Sequence, residues 1–296
     1  MLVVEKMADN WLEIIKSIAT KAYDKIKDIT GTYEGRKPVK RGSRGAGGDV
    51  TLKIDKLAED VIIDELKKLN IPVKLITEET GIVYFNASAE TTARDIITVD
   101  PIDGSHNAAM GFPISCISIA HSRGPNLSDV DSGVILNIYT GDVYYASKGK
   151  GAYKNLERIR VNDNSTVTHA LFGISLSLGE PLPDFAERYS FIFQNMLKIR
   201  SFGSNAMGFA ILAEGGLDCF MDLQKKCRSF DIAAGYIILR EANGTMWDTM
   251  GDPLDAVLDI STRVSFICVN NGLKSHFEDY LPKFREAFKT QPLYKA

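Results

Sequence analysis

The sequence predicts an α/β (α+β) fold on three observations. Two segments near the start carry apolar residues at three- and four-residue steps, the period of a helix with one buried face. The middle of the chain holds short β-rich runs that end in turn residues or acids. In the second half, strand and helix patterns alternate, which layers helices against a sheet. With 296 residues there is enough chain for one large domain or two lobes around a substantial core.

The first helical segment is "NWLEIIKSIATKAYDKIKDI", where Trp11, Ile15, Ile18, Ala22, Tyr23, Ile26 and Ile29 share a face. The basic, glycine-rich "TYEGRKPVKRGSRGAGGD" has no apolar period and predicts a mobile loop over 31–49. "DKLAEDVIIDELKKLN" predicts a second helix capped by Asp55, with Asn70 and Pro72 ending it. "VKLITEET" and "DIITVD" predict strands that run into acids. "ISCISIAHS", "GVILNIYTGDVYYAS" and "GAYKN" predict a largely antiparallel set with a hairpin at "TGD". Then "HALFGISLS" reads as a strand, "PDFAERYSFIFQNMLK" and "SNAMGFAILAEGG" as helices, and "LDCFMDL" as a strand. "DIAAGYIILREANG" predicts a helix from Asp231 to Gly244, "VSFICVNN" a strand and "LKSHFEDYLPKFREAFK" one final helix. The polar "LERIRVNDNST" suggests a boundary between lobes 1–160 and 161–296.

Composition narrows the function classes. The chain is 45% hydrophobic and 25% charged, which excludes a disordered or fibrous protein. Its 35 basic and 38 acidic residues leave a net charge of −3, so charge alone holds neither nucleic acid nor a membrane surface. No run approaches the roughly 20 apolar residues of a membrane span. The start, "MLVVEKMADNW", has early acids and no long apolar stretch, so a cytoplasmic protein is expected. Cys116, Cys219, Cys227 and Cys268 form no CxxC pair and are expected as free thiols.

Acids at element ends carry the chemical signal. Glu78 and Glu79 end "LITEET", Asp100 and Asp103 lie in "VDPIDGS", and Asp231 lies in "SFDIAAG". Strand ends and helix starts line the ligand crevice of open α/β folds. Carboxylates from distant segments meeting there suit a hard divalent cation. In "DPID", proline extends the preceding Asp100, and a turn through Pro101 and Ile102 could return Asp103 beside it. The Ile102 carbonyl would be a further oxygen ligand. Gly104 would let the backbone approach a phosphate at the start of a helix. "DP" and "DG" are also ordinary turn signals, "TEET" reads equally as a solvated acidic loop, and Asp231 as a plain N-cap.

Taken together, "TEET", "VDPIDGS" and "SFDIAAGYIILREANG" resemble the three signatures of the Mg²⁺-dependent, lithium-sensitive phosphatase superfamily. Its members include inositol monophosphatases, fructose-1,6-bisphosphatases and bisphosphate nucleotidases. "GDVTLKID", "GKGAYKN" and "RSFGSNA" follow in the expected order, so the resemblance covers nearly the whole chain, nearest to the archaeal-type dual enzymes. It implies a layered α-β-α-β-α sandwich of the sugar phosphatase type, a homodimer, and two to three Mg²⁺ ions. It implies Glu78, Asp100, Ile102, Asp103 and Asp231 as metal ligands, Asp100 bridging, with Glu79 in support. It implies Asp49 and Thr51 in water activation, and Gly104 and Ser105 cradling phosphate. "DGS" stands for the usual "DGT" and "FD" for "WD", each keeping its hydroxyl or ring. Thr51 stands two residues after Asp49, where the inositol enzymes often have three, so its role stays open.

The expected reaction is phosphate-monoester hydrolysis by a metal-activated water, with Glu78 and Ser105 orienting it and taking its proton. Gly203, Ser204, Asn205 and Asp222 are the expected sugar or polyol contacts. "QKKCR" lies between Asp222 and Asp231 and puts Lys225, Lys226 and Arg228 near the mouth. Arginine there would serve a second phosphate, which favours fructose 1,6-bisphosphate beside inositol 1-phosphate. A nucleotide bisphosphate substrate, or a regulatory RNA- or protein-binding role on the same fold, are the rivals. The acidic balance counts against RNA.

Overall fold

The computed structural model describes residues 10–39, 45–46, 50–86, 93–176 and 181–290. Asp49 and, in the glycine-rich stretch, residues 40–44 and 47–48 lie outside them. Two mixed sheets and their helices stack in five layers. The first sheet has eight strands in the order β2-β1-β3-β4-β5-β6-β7-β8: β1 (Val73–Thr77), β2 (Gly81–Phe85), β3 (Asp95–Asp103), β4 (Cys116–Ser122), β5 (Val130–Asn137), β6 (Val143–Ser147), β7 (Gly151–Lys154) and β8 (Glu157–Ile159). Only β1 and β3 pair in parallel within it. The second sheet has order β10-β9-β11-β13-β12, from β9 (Leu171–Ser175), β10 (Lys198–Arg200), β11 (Cys219–Arg228), β12 (Thr245–Trp247) and β13 (Arg263–Val269).

Three apolar clusters hold the layers together. Helices α1 (Trp11–Ile26) and α2 (Lys53–Lys68) bury Ile15, Ile18, Ile54 and Ile62 against Ile97, Val99, Ile117 and Val134 on the outer face of the first sheet. The sheets are separated by a middle layer that includes α6 (Asn205–Ala213) and α7 (Ala233–Glu241), with Phe209, Ala234 and Ile237 against Ile135, Phe220 and Phe266. Gly133 admits this layer: a Cβ there would stand 2.5 Å from Ile237 and 2.9 Å from the Ala234 backbone. The far face of the second sheet is covered by α4 (Leu182–Arg188), α5 (Ser190–Phe193), α8 (Lys274–Glu278) and α9 (Leu281–Lys289), through Phe185, Tyr189, Phe277 and Phe284. Strands buried on both faces read as continuous apolar runs, which is why "ISCISIA" and "VSFICV" lack clean alternation.

Several expectations change in detail. Asp55 does not cap α2; Leu52 holds that position, and Asp55 sits at the third helical residue, accepting from Leu52 N at 2.8 Å. Asp231 likewise precedes α7, whose cap is Ile232. Tyr189 divides the predicted helix over 183–198 into α4 and α5. The last helix breaks before Leu281, where Pro282 lacks the N–H that a continuous helix would need. β11 runs on to Arg228 instead of ending at Leu223. Most telling, "VDPID" is not a turn: β3 continues through it.

Candidate active site

Within β3, Asp100 pairs with Ser118 and Asp103 with Cys116 of β4, so Pro101 and Ile102 stand opposite Ile117 alone. One extra residue is a bulge. In a regular strand, positions 100 and 103 would point to opposite faces. The bulge cancels the odd spacing. Ile102 joins Val99 in the outer core, and both aspartates open into one cavity. Proline fits because it gives up a ladder donor where pairing is already broken. Asp100 Oδ1 then accepts from Ile102 N at 3.1 Å.

Chain reversal follows at Gly104, which takes φ +87°. A Cβ there would meet Ile114 O at 3.0 Å and Gly203 O at 3.2 Å, so both conformation and space require glycine. Ser105 opens the short α3 (Ser105–Met110), and its hydroxyl donates to Ile102 O at 2.8 Å. Asn107 Nδ2 ties α3 to Phe202 O at 2.6 Å, which brings Gly203, distant in sequence, to the site. Asp103 is fastened there too. Its Oδ2 accepts from Ser204 Oγ at 2.8 Å and from Ala206 N, so the carboxylate rests on the start of α6. The dipole of that helix favours the anion.

The cavity measures about 690 Å³. Glu78, Asp100, Asp103 and Asp231 converge on it with Ile102, from three distant segments. Glu79, Gly104, Ser105, Gly203, Asn205, Asp222 and Arg228 line it as well. Two expected residues stand behind the wall. Thr51 donates to Glu79, and Ser204 is spent on Asp103 and on capping α6 at Met207 N. Asp222 is buried and caps its own loop, accepting from Gln224 N at 2.8 Å and Lys225 N at 3.1 Å. Arg228 corrects the prediction most. It does not reach toward the mouth for a second phosphate. Its Nη2 lies 2.6 Å from Glu78 Oε1 and its Nε 3.4 Å from Asp231 Oδ2.

Burial dominates the electrostatics. Asp100 is pushed well above the usual carboxylate range by burial, then by the charges of Glu78, Asp103 and Asp231. Asp231 rises to about 8 through burial, against the pull of Arg228. Asp103 rises to about 6, because the donors from Ser204 and Ala206 partly offset burial. Glu79 rises to about 7 through burial, opposed by the Thr51 bond.

Sequence reasoning missed Asp55, which burial and the nearby Glu79 and Glu78 raise to about 8. Its spacing after Thr51 in "TLKID" was the only signal, and a helix start explained it equally well. Asp55 is not among the lining residues, whereas His106 and Arg263 line the cavity unforeseen. Arg263 lies at the start of β13, far from every motif.

The donor set fits divalent cations. Six carboxylates (Glu78, Glu79, Asp100, Asp103, Asp222 and Asp231) line the cavity with Lys226, Arg228 and Arg263, a formal excess of three negative charges when all are ionised. Asp231 Oδ1 is buried without a hydrogen-bond partner among the described residues. Hard oxygen donors with unspent capacity are what Mg²⁺-like ions use. Among the described residues, no three acids, histidines or cysteines yet stand at the spacing of a formed metal centre, and Arg228 bridges two of the acids instead.

Comparison with known proteins gives the family. The model of the inositol monophosphatase family matches residues 7–287. A fructose-1,6-bisphosphatase/inositol-1-monophosphatase of Methanothermobacter thermautotrophicus is 32% identical over 267 residues, covering 88% of this chain and 92% of that one. A bifunctional NADP phosphatase/NAD kinase of Methanococcus maripaludis is 32% identical over 282 residues, covering 88% of this chain but 47% of its own length. The crystal structure of an inositol monophosphatase-fructose 1,6-bisphosphatase superimposes with a TM-score of 0.75 at 29% identity, covering 93% of this chain and 99% of that one. The layered architecture expected from the resemblance is therefore the observed one, and the metal dependence is general to such phosphatases. This chain is a phosphatase and belongs to the inositol monophosphatase family.

Proposed function

We propose that the protein hydrolyses the phosphate monoester of fructose 1,6-bisphosphate, inositol 1-phosphate or both, with two to three Mg²⁺ ions in the cavity. The observation that carries this reading is the bulge in β3, which turns Asp100 and Asp103 to one side beside Glu78 and Asp231. Bound cations would lower the pKa of a water and neutralise the phosphoryl oxygens. Glu78, Asp100, Asp103, Asp231 and the Ile102 carbonyl would hold them. That carbonyl already accepts from Ser105 and keeps a second lone pair. Glu78 and the Ser105 hydroxyl would orient the attacking water and receive its proton, with Thr51 steadying Glu79. Gly104 lets the phosphate approach backbone closely. Asn205 and Asp222 would meet ring hydroxyls, and Lys226 the charge of a second phosphate. Asp49 is proposed to assist the water on resemblance alone.

A second substrate class is favoured by one finding: the Methanococcus relative is named an NADP phosphatase. That name supports testing nucleotide phosphates beside the sugar phosphates. The homodimer, the cytoplasmic setting and the lobes 1–160 and 161–296 are also proposals. The lobes rest on the change of sheet between Ile159 and Leu171. No helix among the described residues is long and apolar enough to cross a membrane.

One assay tests the reading. Phosphate release is measured from inositol 1-phosphate, fructose 1,6-bisphosphate, NADP and adenosine 3′,5′-bisphosphate, with Mg²⁺ and with a chelator. Chelator-sensitive release from a sugar phosphate is expected. Release from the nucleotides alone would move the substrate class. Absent or chelator-insensitive release from all four would favour a binding protein.

A further inference from the structure

Arg228 stands among the acids read as metal ligands. Its side chain is only 12% exposed, and its guanidinium spans Glu78, at the end of β1, and Asp231, before α7. Its own backbone N–H donates to Asp231 Oδ2 at 3.3 Å, and its guanidinium carbon lies 5.6 Å from the Phe230 ring centre. An arginine cannot shed its charge in a protein, so this is a permanent positive charge among four buried carboxylates. Glu78 Oε1 and Asp231 Oδ2 are spent on it. A divalent ion that uses these acids competes with the guanidinium for the same oxygens, and two cations at such range repel strongly.

We propose that Arg228 is a resident counter-ion that holds the acids together without metal and leaves Glu78 when a divalent cation enters. Metal uptake is then an exchange, and Arg228 sets its affinity as a positioning residue. This rests on the reading of Glu78 and Asp231 as metal ligands. A residue that merely shores up the pocket would, when removed, weaken both folding and metal binding. A resident counter-ion, when removed, weakens the metal-free fold and tightens metal binding.

The test titrates Mg²⁺ alone into the full chain by calorimetry, for the native protein and Arg228→Gln, with melting temperatures in chelator. Arg228→Gln is expected to bind Mg²⁺ about tenfold more tightly and to melt lower than the native protein in chelator, with Mg²⁺ closing the gap. Equal or weaker Mg²⁺ binding overturns the proposal. Should Arg228→Gln not fold, Arg228→Met carries the same test, because it keeps the apolar stem and removes the competing charge. Tighter binding than native supports the exchange, and equal or weaker binding overturns it. A Mg²⁺-bound crystal structure with Arg228 still on Glu78 overturns it too. If the native protein binds no Mg²⁺, the phosphatase site reading fails with it, whereas binding unchanged by substitution sinks only the exchange.

Discussion

Strand β3 carries a charged cluster at each end, one around the buried His121 and one around the buried Asp100 and Asp103, and the two are built in opposite ways. At its start, Asp95 Oδ1 lies 2.9 Å from His121 Nε2, and His121 Nδ1 lies 2.7 Å from Asp131 Oδ1. Both ring nitrogens face carboxylates, which only the doubly protonated imidazolium can satisfy. Burial by itself would lower the pKa of His121, but the two acids outweigh it and the value is raised. Arg123 Nε lies 3.5 Å from Asp131, so two cations meet two anions. Trp11 stacks on His121 at 4.5 Å and donates to Asp95 at 3.1 Å, pinning α1 to the sheet. At its far end, β3 delivers Asp100 and Asp103 to a group with a formal excess of three negative charges. The closed cluster has nothing left to bind. The open one keeps acids that its own cations do not balance, which is what a cation site requires. Charge balance thus separates structure from function within one strand.

The comparison breaks most sharply at Asp100. Asp100→Asn is expected to cut phosphate release by about a hundredfold or more, while circular dichroism and the melting temperature stay near native. Near-native turnover would place the metal-binding acids elsewhere. The matching blow to the closed cluster is His121→Gln, which removes the buried cation from between two carboxylates. It should cost about 3 kcal/mol of stability by denaturant titration and leave turnover at low temperature intact. A loss of turnover without a loss of stability would mean the two ends of β3 are not separate.

The smallest effect separates the clusters by pH. Asp231 titrates near 8 when folded, against an ordinary aspartate when unfolded. Through that window the folded, metal-free protein holds protons the unfolded chain has released, so its stability falls as pH rises. His121, raised in the fold, contributes fully below its unfolded value and loses that contribution as pH rises through its folded one. Both slopes share a sign. Between about pH 5 and pH 8 the fall should exceed about 1 kcal/mol without metal. Saturating Mg²⁺ should flatten the part due to the acids and leave the His121 part, which His121→Gln removes. A slope indifferent to Mg²⁺ would show that the acids do not bind it.

Much of this was legible in the chain. Helices α1, α2, α6 and α7 and the inner strands follow from apolar period and run length, because each must bury a face whatever surrounds it. The acids of "TEET", "VDPIDGS" and "SFDIAAG" were found by type and order. The short edge strands β2, β8, β10 and β12 were not, since so few residues carry no period. Pro282 could have divided the last helix, because proline marks a first helical turn as readily as it breaks one.

By itself, then, the sequence determined which residues are apolar at which spacing, and which carboxylates are available. Only the tertiary structure decided how they face. The bulge opposite Ile117 arises from pairing between β3 and β4, and no local property of "DPID" distinguishes it from a turn. The bond from Ser204 to Asp103 and the bridge from Arg228 to Glu78 join residues 101 and 150 positions apart. The cost of each buried charge depends on neighbours that the chain brings together only when it folds.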